Sequence, residues 1–364
     1  MSGGVDSSVA AFLLKQQGYD VHGVFMKGWA PEGFACPWRE EKKDAARVAA
    51  VLDIPFMIWD FSEEYKKTVA DYMLNEYRAG LTPNPDVMCN KKIKFGIFLK
   101  KALEQGAPAC RQAGIYIATG HYIKKKEMRP PRGGRISKLL VAKDKNKDQS
   151  YFLWTLTQEQ LKHCLFPIGD YLKPEVRKIA KKFGLPTAEK KESQGVCFVG
   201  KLDFADFLRK YIPKKEGVIK NTRGEVVGRH DGVYFYTIGQ RRGLQIGGSR
   251  RPYYVAEKDF KNNIVIVVHK DEPALYKKEI RATGVNWLNK KCVIPKCAIP
   301  GIAQEMLRCQ ARIRYRQPLQ NCKIYAKNKG EVKVIFQKPQ WAVAQGQSVV
   351  FYKEKEMLGG GVIK

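Results

Sequence analysis

Short apolar runs recur through the first half of the chain, and stretches with helical periodicity separate them. A short run rich in apolar residues predicts a buried strand, whereas apolar residues at i, i+3, i+4 and i+7 predict a helix with one buried face. The predicted strands cover residues 21–25, 56–59 and 115–118, and the predicted helices cover residues 40–52, 64–77 and 93–105. Strands that alternate with helices predict βαβ units, and therefore an α/β domain with a parallel sheet and helices on both faces.

The pattern changes near residue 201, where a short amphipathic helix (203–211) is followed by strands that glycines separate. Strands are then predicted at residues 264–269, 311–315, 323–326, 331–336 and 348–352. Several short strands at this spacing, with turn residues between them, predict a small β-barrel. The predicted domains are an α/β catalytic domain (1–200), a small central domain (201–265) and a C-terminal β-barrel (266–364).

A glycine- and serine-rich segment, Ser2-Gly3-Gly4-Val5-Asp6-Ser7-Ser8, stands directly before a predicted helix. Paired glycines accept positive φ and let backbone N–H groups close around an anion, and serine hydroxyls and the helix dipole add to this. The combination is typical of a phosphate-binding loop; the alternative interpretation is a serine-rich helix N-cap. It is not a G-x-x-x-x-G-K-[ST] loop, because no lysine enters the turn. Such a loop normally follows a buried strand, so we expect a short apolar segment upstream of Met1.

The charge of the chain points to a polyanionic partner. Lys and Arg number 66 against 36 Asp and Glu, which gives a formal net charge of +30. Beside a phosphate loop, an excess of this size favours nucleic acid. A membrane surface would attract the same charge, but we expect no membrane association, because the sequence has no long apolar run and no signal peptide. The basic residues of segment 124–138 predict an exposed hairpin tip that is either solvated or in contact with phosphates.

The nine cysteines include no C-x-x-C pair, so no metal site is predicted. An odd number in a long chain without a secretion signal predicts a reducing, cytoplasmic location. Cys89 follows Asn84-Pro85-Asp86, in a segment whose prolines predict a stiff, non-helical loop, and Asp86 is close enough to share a pocket with it. Cys197 lies in a second polar loop. Lysines flank both cysteines and favour a thiolate. A lone loop cysteine is, however, usually inert.

Together these motifs resemble those of the tRNA-specific 2-thiouridylases, a family of ATP pyrophosphatases, which split ATP between the α and β phosphates. The phosphate loop alone would indicate only the superfamily, whereas the whole set, in the family's order, is specific. The resemblance covers almost the whole chain and implies ATP-dependent insertion of sulfur at C2 of the wobble uridine of tRNA. The matching segments are residues 2–8, 84–90, 118–122, 147–151, 195–198, 236–241, 314–316 and 358–361.

The resemblance also implies roles for individual residues. ATP would contact Ser2, Gly3, Gly4, Val5, Asp6, Ser7, Ser8, Met26 and Gly120. The target base would meet Asn84, Pro85 and Asp86, and the anticodon stem-loop of tRNA would contact His121, Lys147, Asp148, Gln149, Arg314, Tyr315 and Gln347. Cys89 would be the nucleophile, Cys197 the persulfide carrier and Asp86 a proton shuttle. Where the family has Pro-Gly-Gln near the C-terminus, this chain has Gln345-Gly346-Gln347.

The implied reaction begins with transfer of AMP from ATP to the C2 oxygen of uracil, with Mg²⁺ shielding the phosphates. An upstream sulfur donor, such as a cysteine desulfurase or a sulfur-relay protein, would load Cys197. Attack by Cys89 that releases sulfide and leaves a disulfide, and direct attack by the persulfide, are equally consistent with the sequence.

A small-molecule ligase of the same superfamily would explain the loop but neither the cysteines nor the charge. A third interpretation is a tRNA-binding protein without catalysis. Nothing in the sequence demands a dimer, so we expect a monomer.

Overall fold

The computed structural model describes residues 1–34, 38–106, 114–129, 134–191, 204–248, 250–289, 306–327 and 330–364. The N-terminal part alternates strands and helices, as the hydrophobic pattern predicts. Its elements are α1 (Val5–Gln16), β1 (Gly23–Lys27), α2 (Trp38–Val51), β2 (Phe56–Asp60), α3 (Ser62–Tyr65), a π-helix (Lys66–Ala70), α4 (Asp71–Arg78), α5 (Pro85–Met88), a second π-helix (Cys89–Ile97), α6 (Phe98–Gly106), β3 (Ile117–Ala118), β4 (Lys124–Met128), β5 (Ile136–Leu140), a 3₁₀ turn (Ser150–Phe152), α7 (Gln158–Lys162), β6 (Cys164–Leu165) and α8 (Lys173–Lys182).

The strands of this part confirm the predicted parallel pairing. β1 pairs with β2, and β3 pairs with β6, both in parallel, and in the described residues they form two separate two-stranded sheets. β4 and β5 form an antiparallel hairpin, which confirms the predicted hairpin for its described strands. The core of the N-terminal part lies where α1 packs on α8, with Val9, Val48 and Val176 fully buried.

The central part begins with α9 (Phe204–Tyr211) and continues as a four-stranded sheet in the order β8-β7-β10-β9. Its strands are β7 (Gly217–Asn221), β8 (Val226–His230), β9 (Tyr253–Asp259) and β10 (Ile264–His269), with 3₁₀ turns at Val233–Phe235 and Pro273–Leu275. The alternating apolar residues of β10 point into a separate small core, in which Val265 and Val267 are fully buried. This part therefore has its own core, which suits a separate small domain.

The C-terminal part is a closed antiparallel barrel, as predicted. Its strands are β11 (Tyr276–Trp287), β12 (Met306–Arg312), β13 (Gln320–Ala326), β14 (Val332–Trp341), β15 (Ser348–Lys353) and β16 (Glu356–Ile363). Within the described residues six strands follow the order β11-β14-β13-β12-β15-β16, and pairing of β11 with β16 closes the ring. β5 of the N-terminal part adds to the outer edge of β16, so the two parts share one sheet.

Several strand boundaries differ from their predictions, and one of these differences concerns two candidate site residues. The strand predicted at residues 311–315 ends at Arg312, because the chain turns there: Arg316 has a φ of +63° and the Gln317 N–H donates to the Arg314 carbonyl at 3.2 Å. Arg314 and Tyr315 consequently lie in a turn at the end of β12 and not in the barrel wall.

A buried ion pair joins the N-terminal part to the barrel. The guanidinium of Arg312 (7% exposed) lies 3.1 Å from the carboxylate of Asp148 (3% exposed) and 4.6 Å from the ring centre of Tyr352. Asp148 also accepts hydrogen bonds from the Ala142 N–H (3.1 Å) and the Ser150 hydroxyl (2.8 Å). Both charges are therefore withdrawn from water and paired with one another, while the Nε of Arg312 has no hydrogen-bond partner.

Asp148→Ala is expected to lower the free energy of unfolding by about 3–5 kcal/mol, because it leaves the Arg312 guanidinium buried without a counter-ion. The matched control is Asp170→Ala, which removes the exposed partner of Lys124 and should cost less than about 1 kcal/mol. Urea unfolding of the two variants measures the difference. Equal losses of unfolding free energy would show that the buried Asp148–Arg312 pair stabilises the protein no more than the exposed Lys124–Asp170 pair.

Candidate active site

The phosphate-loop candidate is a sharp turn followed directly by α1. Gly3 has a φ of +68°, and a Cβ there would lie 2.2 Å from the Glu41 carbonyl oxygen, so only glycine fits. Gly4 is the N-cap with an extended φ of −102°, so only Gly3 of the two glycines adopts a positive φ. The hydroxyls of Ser7 and Ser8 donate to the Gly4 carbonyl at 3.0 and 2.9 Å. The serine N-cap alternative is therefore wrong, because glycine occupies the cap.

The carboxylate of Asp6 is held from two directions. The Lys173 ammonium lies 2.7 and 2.8 Å from its two oxygens, and the Tyr122 hydroxyl donates to one of them at 2.7 Å. Gly120, which ends the β3 segment, packs on the loop so closely that a Cβ would lie 2.7 Å from the Ser7 nitrogen. The structure thus brings Gly120 to the loop.

Sequence reasoning missed Lys173. It is the first residue of α8 and its side chain is only 9% exposed. A lysine at a helix N-terminus opposes the helix dipole, and that unfavourable placement is the signal that could have singled it out. Its charge pairs with the Asp6 carboxylate and does not stabilise the helix.

The segment that carries Asp86 and Cys89 is helical, so the predicted non-helical loop is wrong. Asn84 caps α5 by accepting from the Val87 N–H at 3.2 Å, and Pro85 occupies the first turn, where its missing N–H costs nothing. Cys89 is the first residue of the second π-helix. Turns of π-helix are rare and are frequent at functional sites.

Cys89 is completely buried in an apolar cluster. It packs with Val24, Phe61 and Ile93, and Met26 at the end of β1 packs against the same cluster. The predicted ATP residue Met26 and the predicted nucleophile therefore lie in one region. Asp86, by contrast, is half-buried.

The second π-helix carries Lys91, Lys92 and Lys94, and their charges influence the pKa values of nearby groups. Burial, and next the charge of Lys92, lower the pKa of Lys91. Burial, and next the charge of Lys94, hold the pKa of His121 well below its usual range. His121 is 7% exposed and its Nδ1 lies 2.8 Å from the Thr119 hydroxyl. His121 is accordingly a neutral, buried ring, and its contact with tRNA stays a prediction.

The segment from Lys147 to Tyr151 connects the loop side of the site to the barrel. Gln149 exchanges two hydrogen bonds with the backbone of Tyr122, which holds Asp6. The Tyr151 hydroxyl donates to the Ser348 carbonyl at 2.9 Å. Lys147 and Gln149 are half-buried, whereas Asp148 is in the buried pair described above. Their contacts with tRNA stay predictions.

The barrel residues predicted to contact tRNA also have partners within the protein. The Arg314 guanidinium lies 4.9 Å from the ring centre of Trp341, and burial lowers the pKa of Arg314. The ring centre of Tyr315 lies 4.6 Å from that of Phe152. The amide of Gln347 donates to the carbonyl of Thr82 at 3.0 Å, so this side chain supports the segment before Asn84.

Cys197 lies outside the described residues, as do Cys36, Cys110, Cys292 and Cys297. In the part of the chain that the structure describes, Cys89, Cys164, Cys309 and Cys322 form no disulfide. No cluster of three or more potential metal-binding His, Cys, Asp or Glu side chains occurs among the described residues. No helix in the same residues is long and apolar enough to cross a membrane.

The fold and site define a nucleotide-binding α/β enzyme with a phosphate loop, to which two β domains are attached. Family comparison agrees: the "tRNA methyl transferase HUP domain" family matches residues 1–201, the "tRNA methyl transferase PRC-barrel domain" family matches 205–269 and the "Aminomethyltransferase beta-barrel domain" family matches 277–363. The chain belongs to the family of tRNA-specific 2-thiouridylases, because curated members of that family match it over its whole length.

Curated relatives support this membership over the full length of the chain. A protein of Geobacillus kaustophilus named tRNA-specific 2-thiouridylase MnmA 2 is 48% identical over 366 residues, covering 100% of this chain and 93% of the relative. Proteins named tRNA-specific 2-thiouridylase MnmA from Christiangramia forsetii and Vibrio cholerae are each 44% identical, covering 100% of this chain and 98% and 95% of the relative.

Proposed function

We propose that this protein is a tRNA-uridine 2-sulfurtransferase, which replaces the C2 oxygen of the wobble uridine of tRNA by sulfur at the expense of ATP. The observation that carries the proposal is the meeting of two features in one domain. A phosphate loop packs on Gly120, and the helical segment with Asp86 and Cys89 packs near Met26. The phosphate loop would bind ATP, and the segment with Asp86 and Cys89 would carry out sulfur chemistry at a base.

The loop would bind the phosphates of ATP through its backbone N–H groups and the positive end of α1. Asp6 would be kept in place by Lys173 and Tyr122. Mg²⁺ commonly binds through one or two carboxylates together with substrate phosphates, and the half-buried Asp6 fits such a ligand. Bound there, Mg²⁺ would shield the charge of the phosphates. The C2 oxygen of uracil attacks the α phosphate, pyrophosphate leaves, and the oxygen becomes part of a good leaving group, AMP.

Sulfur then reaches C2 from a persulfide on Cys197. In one route Cys89 attacks the inner sulfur of that persulfide, which releases sulfide to attack C2 and leaves a Cys89–Cys197 disulfide. In the other route the persulfide attacks C2 directly, AMP leaves, and Cys89 then resolves the adduct. Either route ends in a disulfide that an external thiol must reduce. Asp86 would move a proton in these steps. Because Cys89 is buried, its segment must open when tRNA binds.

The partners follow from the same chemistry. The anticodon stem-loop of tRNA presents splayed bases, and the net charge of +30 suits its phosphates. An upstream protein would supply the sulfur. We propose that the enzyme acts as a monomer in the cytoplasm.

Release of pyrophosphate from ATP is expected to rise about tenfold or more on addition of a tRNA with a wobble uridine, because activation needs the base that attacks the α phosphate. A tRNA with another wobble base is the matched control and should stimulate little. Pyrophosphate release, or ATP–pyrophosphate exchange, measures the effect. Equal activity without tRNA would instead favour an enzyme acting on a small molecule.

A further inference from the structure

Lys258, a half-buried residue of β9, binds two backbone carbonyls. Its ammonium donates to the carbonyl of Gly80 at 2.7 Å and to that of Tyr236 at 3.0 Å, and it lies 5.2 Å from the ring centre of Phe260. No carboxylate pairs with it within the described ranges. Burial lowers the pKa of Lys258 to about 8. Withdrawing an ammonium from water without a counter-ion costs free energy.

The carbonyl that Lys258 holds is at the end of α4. The Gly80 N–H donates to the Tyr77 carbonyl at 2.9 Å, and Gly80 then turns the chain with a φ of +84°. A helix C-terminus carries partial negative charge, so a cation is favourable there. The ring of Phe260 closes on the same glycine, since a Cβ at Gly80 would lie 2.2 Å from it. The central domain therefore fixes the position of the residues that follow α4.

The next residues are fixed by the barrel. We call residues 80–84 the bridging loop. The Thr82 N–H donates to the Gln345 carbonyl at 2.8 Å, and Gln347 donates to the carbonyls of Thr82 and Pro83 at 3.0 and 3.2 Å. The turn of the barrel approaches so closely that a Cβ at Gly346 would lie 2.9 Å from the Thr82 nitrogen. The bridging loop is thus held from both C-terminal domains.

The bridging loop ends at Asn84, which caps the helix that carries Asp86 and leads to Cys89. We propose that Lys258 is a positioning residue for sulfur transfer: from the central domain it fixes the start of the bridging loop, and so the place of Asp86 and Cys89 relative to the bound uridine. This role rests on the proposed function. Lys258 acts through the loop and contacts neither the phosphate loop nor Cys89.

The position of the reacting groups, and not the affinity for substrates, should depend on Lys258. A displacement of the start of the loop passes along a few residues to the Asn84 cap. A misplacement of about 1 Å can cost up to about a hundredfold in rate. We therefore expect an effect on kcat without a matching effect on binding.

Lys258→Met, which keeps the length of the side chain but removes its donors, is expected to lower kcat for 2-thiouridine formation about tenfold or more. The KM for ATP and the Kd for tRNA should change by less than about twofold. Lys261→Met, at an exposed lysine just after the same strand, is the matched control. Lys258→Arg, which restores donors, should recover part of the lost kcat. Should Lys258→Met not fold, Phe260→Leu tests the same contact on Gly80 and should also lower kcat.

An unchanged kcat in Lys258→Met would overturn the role of Lys258. A weakened Kd for tRNA with an unchanged kcat at saturation would overturn it too, because Lys258 would then be a binding contact. Absence of 2-thiouridine with the wild-type enzyme would instead refute the proposed function.

Discussion

Replacement of either Cys89 or Cys197 by serine is expected to abolish formation of 2-thiouridine, with a loss of about 10⁴-fold or more. A serine oxygen cannot carry a persulfide, and it cannot release sulfur from one by forming a disulfide. Both routes of sulfur transfer therefore fail in both variants. Pyrophosphate release in the presence of tRNA should persist, since neither cysteine takes part in adenylation. Mass spectrometry of the tRNA nucleosides measures the sulfur, and a pyrophosphate assay measures the first step.

The matched control is Cys164→Ser. Cys164 is a buried residue of β6 whose thiol donates to the Gln160 carbonyl at 3.0 Å, and burial raises its pKa to about 12. It should therefore be inert, and the variant should keep its sulfur transfer. Sulfur incorporation that survives Cys197→Ser would overturn the persulfide role of that residue.

Lys173→Met is expected to lower the rate of tRNA-dependent pyrophosphate release by about a hundredfold, because Asp6 loses both ammonium contacts. The loss should fall on the adenylation step, so a tRNA that is already adenylated would accept sulfur normally. Single-turnover measurement of pyrophosphate separates this step from sulfur transfer.

Lys181→Met is the control for Lys173→Met. Lys181 belongs to the same helix α8 but pairs with Glu189 on the surface, where both side chains are largely exposed. Its loss should leave the rate within about twofold of wild type. A similar rate in the two variants would show that Lys173 has no part in the ATP step.

The alternation of strands and helices could be predicted because the pattern of apolar residues records which face of each element is buried. β16 could not be predicted in this way, since glycines weaken the strand signal of residues 358–361. The structure gives the reason for the glycines: a Cβ at Gly359 would lie 2.0 Å from the Asn286 carbonyl oxygen, and one at Gly360 would lie 2.8 Å from Trp154. Close packing excluded the side chains that mark a strand.

β11 was also missed, because the exposed, charged residues at its start resemble a loop. Its pairing with β14 and β16, which closes the barrel, is long-range and leaves no local pattern. At Asn84-Pro85 a loop was predicted where the structure has a helix, because residues typical of turns here form the helix cap and the first helical turn.

The candidate site could be predicted where chemistry depends on a short motif. The phosphate loop and its neighbour Gly120 lie together, as the family resemblance implied. Partners distant in sequence could not be predicted: Lys173 on Asp6, Arg312 on Asp148 and Lys258 on Gly80 all join separate elements. These contacts depend on tertiary packing, which no spacing along the chain reveals.

The central claim is that the enzyme places sulfur on C2 of the wobble uridine after activating that position with ATP. Nucleoside mass spectrometry of tRNA incubated with the protein, Mg²⁺ and a persulfide donor, with and without ATP, tests it most directly. The account predicts 2-thiouridine at the wobble position only when ATP is present. Sulfur at another position, or the same yield without ATP, would contradict it.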